Sequence, residues 1–214
     1  MIWKEKEYFG ESVIIATGAS SLWLGLPSED RLRGKGVSSC ATCDGFFFRD
    51  KEIIVVGGGD AAMEEALYLT KFVKKVTVIN RSEKLRASKI MADRALANPK
   101  ITFQYNKVVA EFLGDSHLTA VKLKDVVSGE MFEMPIEGAF IAIGHKPNTE
   151  IFQGKIDLDA KGYIVPKDGT KTNVEGVFVG GDVRDYRYRQ AVTAAGMGCM
   201  AALDAEKYLH MDQG

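Results

Sequence analysis

The turn Gly57-Gly-Gly59-Asp-Ala-Ala62 constrains the fold of this chain more than any other segment. The apolar run from Glu52 to Gly57 precedes it, and residues 61–72 after it carry the spacing of a helix. A second apolar run, Val76 to Asn80, follows. A strand, a helix and a strand in this order pack as a parallel βαβ unit, because the helix returns the chain to the same edge of the sheet. The segment therefore predicts an α/β fold with a parallel sheet.

Similar apolar runs extend this prediction to the rest of the chain. Three of them end on glycine, and their lack of polar alternation is typical of strands covered on both faces. These predicted strands lie over 13–18, 139–144 and 176–181. Residues 101–136 alternate apolar and polar positions, which predicts a meander of antiparallel strands. Helical spacing predicts further helices over 88–97 and 190–209.

The composition narrows the class of partner and the compartment. The chain has 214 residues, 28 of them basic and 29 acidic, so no strong field would recruit nucleic acid or an anionic membrane. Its apolar runs are far shorter than the roughly 20 residues that a membrane span needs. Residues 1–9 lack the apolar stretch of a signal peptide. Three cysteines do not form a disulfide scaffold, so we expect a reducing compartment, with the cytoplasm as the default.

The glycine turn fits the dinucleotide-binding fingerprint G-x-G-x-x-[GA]. Gly57 permits the tight turn, Gly59 lets a pyrophosphate approach the backbone, and Ala62 keeps the helix close to the strand. The phosphates would lie at the helix N-terminus, beside Asp60 and Ala61. The sequence therefore predicts a dinucleotide site in this βαβ unit.

The segment after the second strand indicates which dinucleotide is bound. An acidic residue there would hydrogen-bond the ribose 2'-hydroxyl of NAD, but this chain has Asn80-Arg81-Ser-Glu-Lys-Leu-Arg86. Arg81 and Arg86 favour a 2'-phosphate through charge-assisted hydrogen bonds, to which Asn80 or Ser82 would add neutral ones. We therefore expect NADPH rather than NADH. The alternative is a solvated, charged loop that caps the next helix.

The pair Cys40-Ala-Thr-Cys43 has the spacing of a redox-active dithiol. Thiol–disulfide exchange needs an attacking thiolate and a resolving thiol nearby, and Asp44 would act as a general acid or base. Zinc is one alternative, but no second close pair of Cys or His accompanies this one, so no metal is expected. A buried, inert pair is the other alternative. Cys199, among small and apolar residues, is expected in the core.

Four motifs follow one another along the chain. They are Cys40-Ala-Thr-Cys43-Asp44-Gly, Gly57-Gly-Gly-Asp-Ala-Ala-Met-Glu-Glu-Ala66, Ala142-Ile-Gly144-His-Lys-Pro-Asn148, and Gly180-Gly181-Asp182-Val with Tyr188-Arg189-Gln190-Ala191. In this order they closely resemble the low-molecular-weight thioredoxin reductases, and the resemblance covers essentially the whole chain. It implies a homodimeric flavoenzyme in which NADPH reduces FAD, FAD reduces the dithiol, and the dithiol reduces thioredoxin.

The resemblance also implies a role for each residue of the dithiol and of the arginine segment. Cys43 would lie nearer the flavin, Cys40 would attack the thioredoxin disulfide, and Asp44 would serve as the acid. Arg81 and Arg86 match the arginines that bind the 2'-phosphate. The neighbouring Asn80 and Ser82 depart from the usual His and second Arg, which is expected to weaken the preference for NADPH.

Further matches fall on positions that contact the cofactors. Gly181 and Asp182 match the pair that binds the ribityl and phosphate region of FAD, although an ordinary turn is the alternative without the resemblance. Gly144, in the third motif, is also expected at a cofactor. The start of the last helix would lie beneath the isoalloxazine ring, with contacts from Arg189, Gln190 and Ala191.

The resemblance divides the chain into two parts. Residues 23–148 would form a Rossmann-like NADPH-binding domain with the dithiol, inserted in a partial FAD-binding domain of residues 1–22 and 149–214. Family members begin with a βαβ unit that binds the ADP half of FAD, and this chain has one glycine fingerprint only. We therefore expect exposed apolar sheet edges and poor FAD binding by the chain alone.

Two other functions stay open at this point. One is that of a related flavin-dependent disulfide reductase with another client, and the other is that of a non-catalytic NADP-binding module. Basic residues before the dithiol, Arg31, Arg33 and Lys35, would steer an acidic partner such as thioredoxin, with a solvated loop as the alternative.

Overall fold

The computed structural model describes residues 2–3 and 6–211, and the chain divides into two compact units. Unit 1 consists of Met1–Ser20 with His145–Gly214, and unit 2 of Ser21–Gly144. The sequence predicted an inner segment of 23–148. The assignment of the two units to two cofactors stays a prediction.

The secondary structure comprises fourteen strands, five α-helices and two short 3-10 helices in the described part of the chain. The strands are β1 Ile2–Trp3, β2 Lys6–Glu7, β3 Val13–Ile15, β4 Ala19–Ser21, β5 Val37–Ser38, β6 Glu52–Val56, β7 Lys75–Asn80, β8 Ile101–Tyr105, β9 Lys107–Leu113, β10 Ala120–Asp125, β11 Met131–Pro135, β12 Gly138–Ile141, β13 His145–Pro147 and β14 Val177–Val179. The helices are α1 Pro27–Leu32, α2 Ala41–Asp44, α3 Asp60–Leu69, α4 Lys89–Leu96 and α5 Ala191–Met211, with 3-10 helices at Gly45–Phe48 and Glu150–Phe152.

Unit 2 is built on a five-stranded parallel sheet with the strand order β5-β12-β6-β7-β8. Helix α3 connects β6 to β7, so the predicted βαβ unit is confirmed. The predicted antiparallel meander is confirmed for β9, β10 and β11, which form their own sheet. It is wrong for residues 101–105, because β8 pairs with β7 in parallel at the sheet edge. An edge strand alternates buried and exposed side chains too, so alternation alone does not separate the two arrangements.

Both faces of the parallel sheet are covered, which explains the unbroken apolar run of β6. Ile53 and Val55 pack in one cluster with residues of α3 such as Met63. Ile54 and Val56 pack in a second cluster with residues of the antiparallel sheet such as Phe112. Unit 2 is therefore a three-layer sandwich of helices, parallel sheet and antiparallel sheet.

The two ends of unit 2 lie side by side. The backbone N–H of Leu22 donates to the carbonyl of Gly144 at 2.9 Å. Close to the first end, the fully buried Glu29 carboxylate accepts hydrogen bonds from the N–H groups of Leu24 and Gly25, each at 3.0 Å. This carboxylate fixes the loop that leads into α1.

Unit 1 contains three two-stranded sheets, β1 with β2, β4 with β13, and β3 with β14. The pair β3–β14 is parallel, and Ile14 on β3 is exposed. Helix α5 packs Ala201 and Ala205 against Phe178 of β14. No helix in the described residues is long and apolar enough to cross a membrane.

The prediction that Cys199 lies in the core is wrong, because this residue is on the side of α5 that faces away from β14. Cys199 is exposed, together with Val192, Met200 and Leu203. Small and apolar neighbours predicted a core position for this cysteine. The residues of α5 that do pack against β14 lie on a different side of the helix, and sequence composition does not reveal which side is covered.

Candidate active site

Cys40 and Cys43 form a disulfide at the carboxyl end of β5, with their Cα atoms 5.3 Å apart. Cys40 is the N-cap residue of α2, and its Sγ accepts a hydrogen bond from the Cys43 N–H at 3.3 Å. Cys43 is exposed and Cys40 is half-buried. The alternative of a buried pair is therefore wrong.

Asp44 is held by Ser38, a residue that no sequence pattern indicated. Its Oδ2 accepts a hydrogen bond from the Ser38 hydroxyl at 2.6 Å. The same Ser38 oxygen accepts from the backbone N–H of Cys40 at 3.1 Å. A serine two residues before the first cysteine carries no signal by itself, because only the turn after β5 brings it to Asp44.

An aromatic patch of Phe46 and Phe47 lies directly after the dithiol segment, and these side chains are 61% and 74% exposed. The next residue, Phe48, is buried and packs edge-on against Phe140 with ring centroids 5.1 Å apart. Gly45 permits this arrangement, because a β-carbon there would stand 2.9 Å from a Leu69 methyl group. The buried ring thus anchors two exposed ones.

The glycine turn has the geometry that the fingerprint predicts. Gly57 has a φ of 148°, and a β-carbon there would stand 2.4 Å from the carbonyl oxygen of Ala142, so only glycine fits. A β-carbon on Gly59 would meet nothing within 4 Å, which leaves its outer side open. Ala62 is fully buried against the turn. The open side at the start of α3 fits the approach of a phosphate group.

The carboxylate of Asp60 is already engaged within the protein. Its Oδ1 accepts hydrogen bonds from the N–H and the hydroxyl of Ser88, both at 2.8 Å. Asp60 therefore ties the start of α4 to the glycine turn. Ala61 follows it in the first turn of α3.

Arg81 and Arg86 are both exposed in the loop after β7. Asn80 differs from the prediction that it donates to a ligand. It is 3% exposed, and its amide donates to the carbonyls of Ser82 and Lys84 at 2.8 and 3.0 Å. Buried polar groups are hydrogen-bonded within the protein, and the partners of this amide are carbonyls of its own loop. Asn80 therefore fixes the shape of the arginine loop instead of facing solvent.

The parallel sheet brings these features of unit 2 to one edge. Cys40 follows β5, Gly144 follows β12 with a φ of 120°, Gly57 follows β6 and Arg81 follows β7. Since β5, β12, β6 and β7 are consecutive neighbours, the dithiol, the glycine turn and the arginine loop lie in order along the carboxyl edge. Ligands of open α/β sheets bind at this edge.

Unit 1 holds the remaining predicted residues near the start of α5. Gly181 has a φ of 80°, and one buried oxygen of Asp182, Oδ1, has no hydrogen-bond partner in the described part of the chain. Burial raises the pKa of the Asp182 carboxyl, Asp185 raises it further, and Arg189 opposes them. A buried acceptor without a partner fits a ligand that donates a hydrogen bond, such as a ribityl hydroxyl of FAD.

The segment after Asp182 is held in a strained turn. Asp185 accepts hydrogen bonds from the N–H groups of Arg187, Tyr188 and Arg189 at 2.9 to 3.3 Å. Arg189 has a φ of 48°, a conformation that side chains rarely adopt. Gln190 then precedes α5, which begins at Ala191. The turn fixes where the helix starts.

A half-buried histidine also belongs to this part of unit 1. The pKa of His145 is lowered, mainly by burial and further by the charge of Arg189. Its Nδ1 is buried and has no hydrogen-bond partner among the described residues.

The basic residues before the dithiol have structural partners. The guanidinium of Arg33 lies 3.9 Å from the ring centroid of Trp23 and pairs with Asp30 at 2.8 Å. The Arg31 guanidinium donates to the carbonyl of Gly114. Steering of an acidic partner by these basic residues stays a prediction. The local contacts of the two arginines account for their positions without it.

Comparison with known proteins agrees with this geometry. The family model described as pyridine nucleotide-disulphide oxidoreductase matches residues 3–198. A thioredoxin reductase of Streptomyces clavuligerus is 56% identical over 200 residues, which make up 93% of this chain and 62% of that protein. A thioredoxin reductase of Rickettsia conorii is 54% identical over 208 residues, or 95% of this chain and 67% of that protein.

The fold leads to the same group. The crystal structure of thioredoxin reductase from Streptococcus pyogenes matches with a TM-score of 0.89 and 42% sequence identity, over 96% of this chain and 72% of that one. The present chain thus spans 62% of the length of the Streptomyces relative. The chain belongs to the pyridine nucleotide-disulphide oxidoreductase family, and within it to the thioredoxin reductases.

Proposed function

We propose that this chain carries the NADPH-binding and dithiol part of a thioredoxin-disulfide reductase, in which electrons pass from NADPH through FAD to Cys40 and Cys43 and on to thioredoxin. The Cys40–Cys43 disulfide, on the same sheet edge as the Gly57 turn, is the observation that carries this proposal. Their common edge supports a dithiol and a dinucleotide site that belong to one electron path.

The residues of unit 2 fit NADPH. The open side of Gly59 and the start of α3 would hold the pyrophosphate. The exposed guanidiniums of Arg81 and Arg86 would pair with the 2'-phosphate. In unit 1, the buried Oδ1 of Asp182, which has no hydrogen-bond partner among the residues that the structure describes, fits a hydroxyl donor of FAD. Arg189 and Gln190 lie at the helix start expected beneath its ring.

The dithiol chemistry then belongs to the chain's own residues. When bound, NADPH would supply a hydride, and FAD would carry the two electrons of that hydride to a disulfide. Once reduced, Cys40 attacks the client disulfide as a thiolate, and Cys43 resolves the mixed disulfide. Asp44 exchanges a proton with the sulfurs in these steps. The exposed aromatic patch beside them supports a protein as the client, since exposed aromatic rings commonly anchor protein interfaces.

The proposal includes a homodimer and a cytoplasmic location. The homodimer rests on the resemblance to the family. The cytoplasm rests on the three cysteines, of which two form the redox pair and Cys199 is a free thiol that a reducing compartment would preserve.

A coupled assay tests the function. The purified chain is incubated with FAD, its absorbance spectrum is recorded, and NADPH-dependent reduction of thioredoxin is followed with an aromatic disulfide as the final acceptor. We expect turnover only in flavin-loaded protein, and none after Cys40→Ser or Cys43→Ser. Flavin-loaded protein that oxidises NADPH without reducing thioredoxin would contradict the proposed client.

A second candidate function is NADP binding without catalysis. The observation behind it is that unit 2 holds the glycine turn, the arginine loop and two hydrophobic clusters within one continuous segment. Calorimetric titration with NADPH distinguishes the two. Tight NADPH binding by a chain that retains no flavin and turns over no thiol would support this second function.

A further inference from the structure

We propose that Ser38 is a positioning residue for the acid–base step at the dithiol. Its hydroxyl fixes one oxygen of the Asp44 carboxyl and thereby selects the other oxygen, Oδ1, as the one that exchanges a proton with sulfur. This inference rests on the proposed function, in which Asp44 is the acid.

The contacts of Ser38 are specific and shielded from water. Ser38 is the last residue of β5 and is 7% exposed. It donates to Asp44 Oδ2 at 2.6 Å and accepts from the Cys40 N–H at 3.1 Å. One hydroxyl thus connects the backbone of the first cysteine to the carboxyl group that follows the second. The short distance to Oδ2 is in the range of charge-assisted hydrogen bonds.

The hydrogen-bonding capacity of the two groups explains why this bond persists during a proton transfer. A carboxylate accepts on both oxygens, whereas a carboxylic acid donates from one oxygen and still accepts on the other. With the proton on Oδ1, Oδ2 of Asp44 stays an acceptor for the Ser38 hydroxyl. The hydrogen bond therefore survives in both protonation states, and Asp44 need not rotate between them.

The step can be written for reduction of the disulfide by a small dithiol. A thiolate of the reagent attacks one sulfur of the Cys40–Cys43 bond, that bond breaks, and its electron pair stays on the leaving sulfur. The proton on Asp44 Oδ1 moves to that sulfur. The second thiol of the reagent then closes its own disulfide and releases the other cysteine as a thiol. The reagent is oxidised, the protein pair is reduced, and Asp44 regains a proton from solvent.

The test measures the rate at which dithiothreitol reduces the disulfide in the purified chain, by quenched alkylation and mass spectrometry, across the pH range in which the chain is folded. The variants are Asp44→Asn, Ser38→Ala, the double variant and Ser38→Thr. Threonine keeps the hydroxyl and suits a strand. Ser39→Ala is the matched control, because the Ser39 hydroxyl bonds to the Ser21 hydroxyl at 3.0 Å instead.

We expect Ser38→Ala to slow reduction about tenfold, the order expected for a hydrogen bond to a charged group. Asp44→Asn should slow it at least as much. The double variant should be no slower than Asp44→Asn alone, because Ser38 acts through Asp44. Ser38→Thr should keep most of the rate, and Ser39→Ala all of it.

The outcomes separate this inference from the proposed function. If Asp44→Asn reduces at the wild-type rate at every pH, the acid role of Asp44 is wrong and the inference falls with it. If Asp44→Asn is slow but Ser38→Ala is not, the acid role stands and the inference is overturned. Multiplying effects in the double variant would overturn it as well, since they would show that Ser38 acts independently. Thermal unfolding of each variant shows whether it is folded.

Discussion

The carboxamide of Asn80 occupies the space in which a side chain at Gly58 would begin. A β-carbon on Gly58 would stand 2.1 Å from Asn80 Oδ1. The amide of Asn80 is committed to the carbonyls of Ser82 and Lys84, and the Gly58 carbonyl accepts from the N–H of Arg86 at 2.7 Å. The glycine turn and the arginine loop are therefore one hydrogen-bonded structure.

Gly58→Ala should disturb that structure. The methyl group would displace the Asn80 side chain, which costs about 1–3 kcal/mol for overpacking in a closed site. We expect a lower free energy of unfolding in urea and weaker NADPH binding in calorimetric titration. Gly59→Ala is the control with the same chemical change, because its methyl group would meet no protein atom within 4 Å. It should leave stability nearly unchanged and weaken NADPH binding; a Gly58→Ala variant as stable as wild type would contradict the packing argument.

Asn80→Ala should change the choice of dinucleotide. The two hydrogen bonds that hold the arginine loop would be lost, so the guanidiniums would no longer be preset for a 2'-phosphate. We expect affinity for NADPH to fall about tenfold, the order expected for two neutral hydrogen bonds, with little change for NADH. Both affinities are measured by calorimetric titration. Asn98→Ala is the control, because it removes the same chemical group at an amide that bonds to Thr70 and Lys100 before β8, and it should leave both affinities unchanged. An equal loss for both dinucleotides would refute the role in selectivity.

Glu29→Gln should destabilise unit 2. The buried carboxylate accepts from two backbone N–H groups, one on each oxygen, and an amide would present a donor to one of them. An unsatisfied buried group costs about 1–3 kcal/mol. Urea unfolding measures the loss. Asp30→Asn is the neighbouring control: it breaks an exposed ion pair with Arg33, which contributes about 0–1 kcal/mol. Similar effects of both variants would argue against a special role for Glu29.

Asp182→Asn should change the pH dependence of stability. The pKa of Asp182 in the folded protein is raised above its ordinary value of 3.8, mainly by burial. The folded state then binds the proton more tightly than the unfolded chain, so stability falls as pH rises through 3.8 towards the raised pKa. The variant lacks this loss and should melt at a higher temperature than wild type at neutral pH.

Thermal melts across the acidic and neutral range check that prediction for Asp182. The advantage of the variant should shrink once the pH is below the ordinary value. Asp168→Asn, at an exposed carboxylate of the same unit, should show no comparable gain. A variant that is less stable than wild type at neutral pH would show that the carboxylate is stabilised in the fold.

The main architecture could be predicted because its signals are local. Apolar runs predicted β6, β7 and β12, those of β6 and β12 ending on glycine, and the glycine turn predicted the parallel connection between β6 and β7. The position of β8 could not be read in this way. Whether Ile101 to Tyr105 joins the parallel or the antiparallel sheet depends on pairing with β7, which is a long-range choice between two sheets that accept the same pattern.

The residues of the candidate site also divide into those that a local pattern predicts and those that depend on long-range contacts. The pairing of Cys40 with Cys43 and the geometry of the glycine turn could be predicted, because both depend on residues that are close in sequence. Asn80 was not, since a short polar side chain can serve a ligand or its own loop, and only the burial of the amide decides between them. The contact of Ser38 with Asp44 depends on a turn of the chain that no periodicity describes.

The meeting of Leu22 and Gly144 has a consequence for how such proteins can be rearranged. Because the first and last residues of this segment are hydrogen-bonded neighbours, the host residues that flank it need lie no farther apart than the ends of a tight loop. Removing the segment and joining the flanking residues, or inserting it at another surface turn, would therefore strain neither the segment nor the host chain. The segment that carries the glycine turn and the dithiol can therefore be inserted or removed as a single piece.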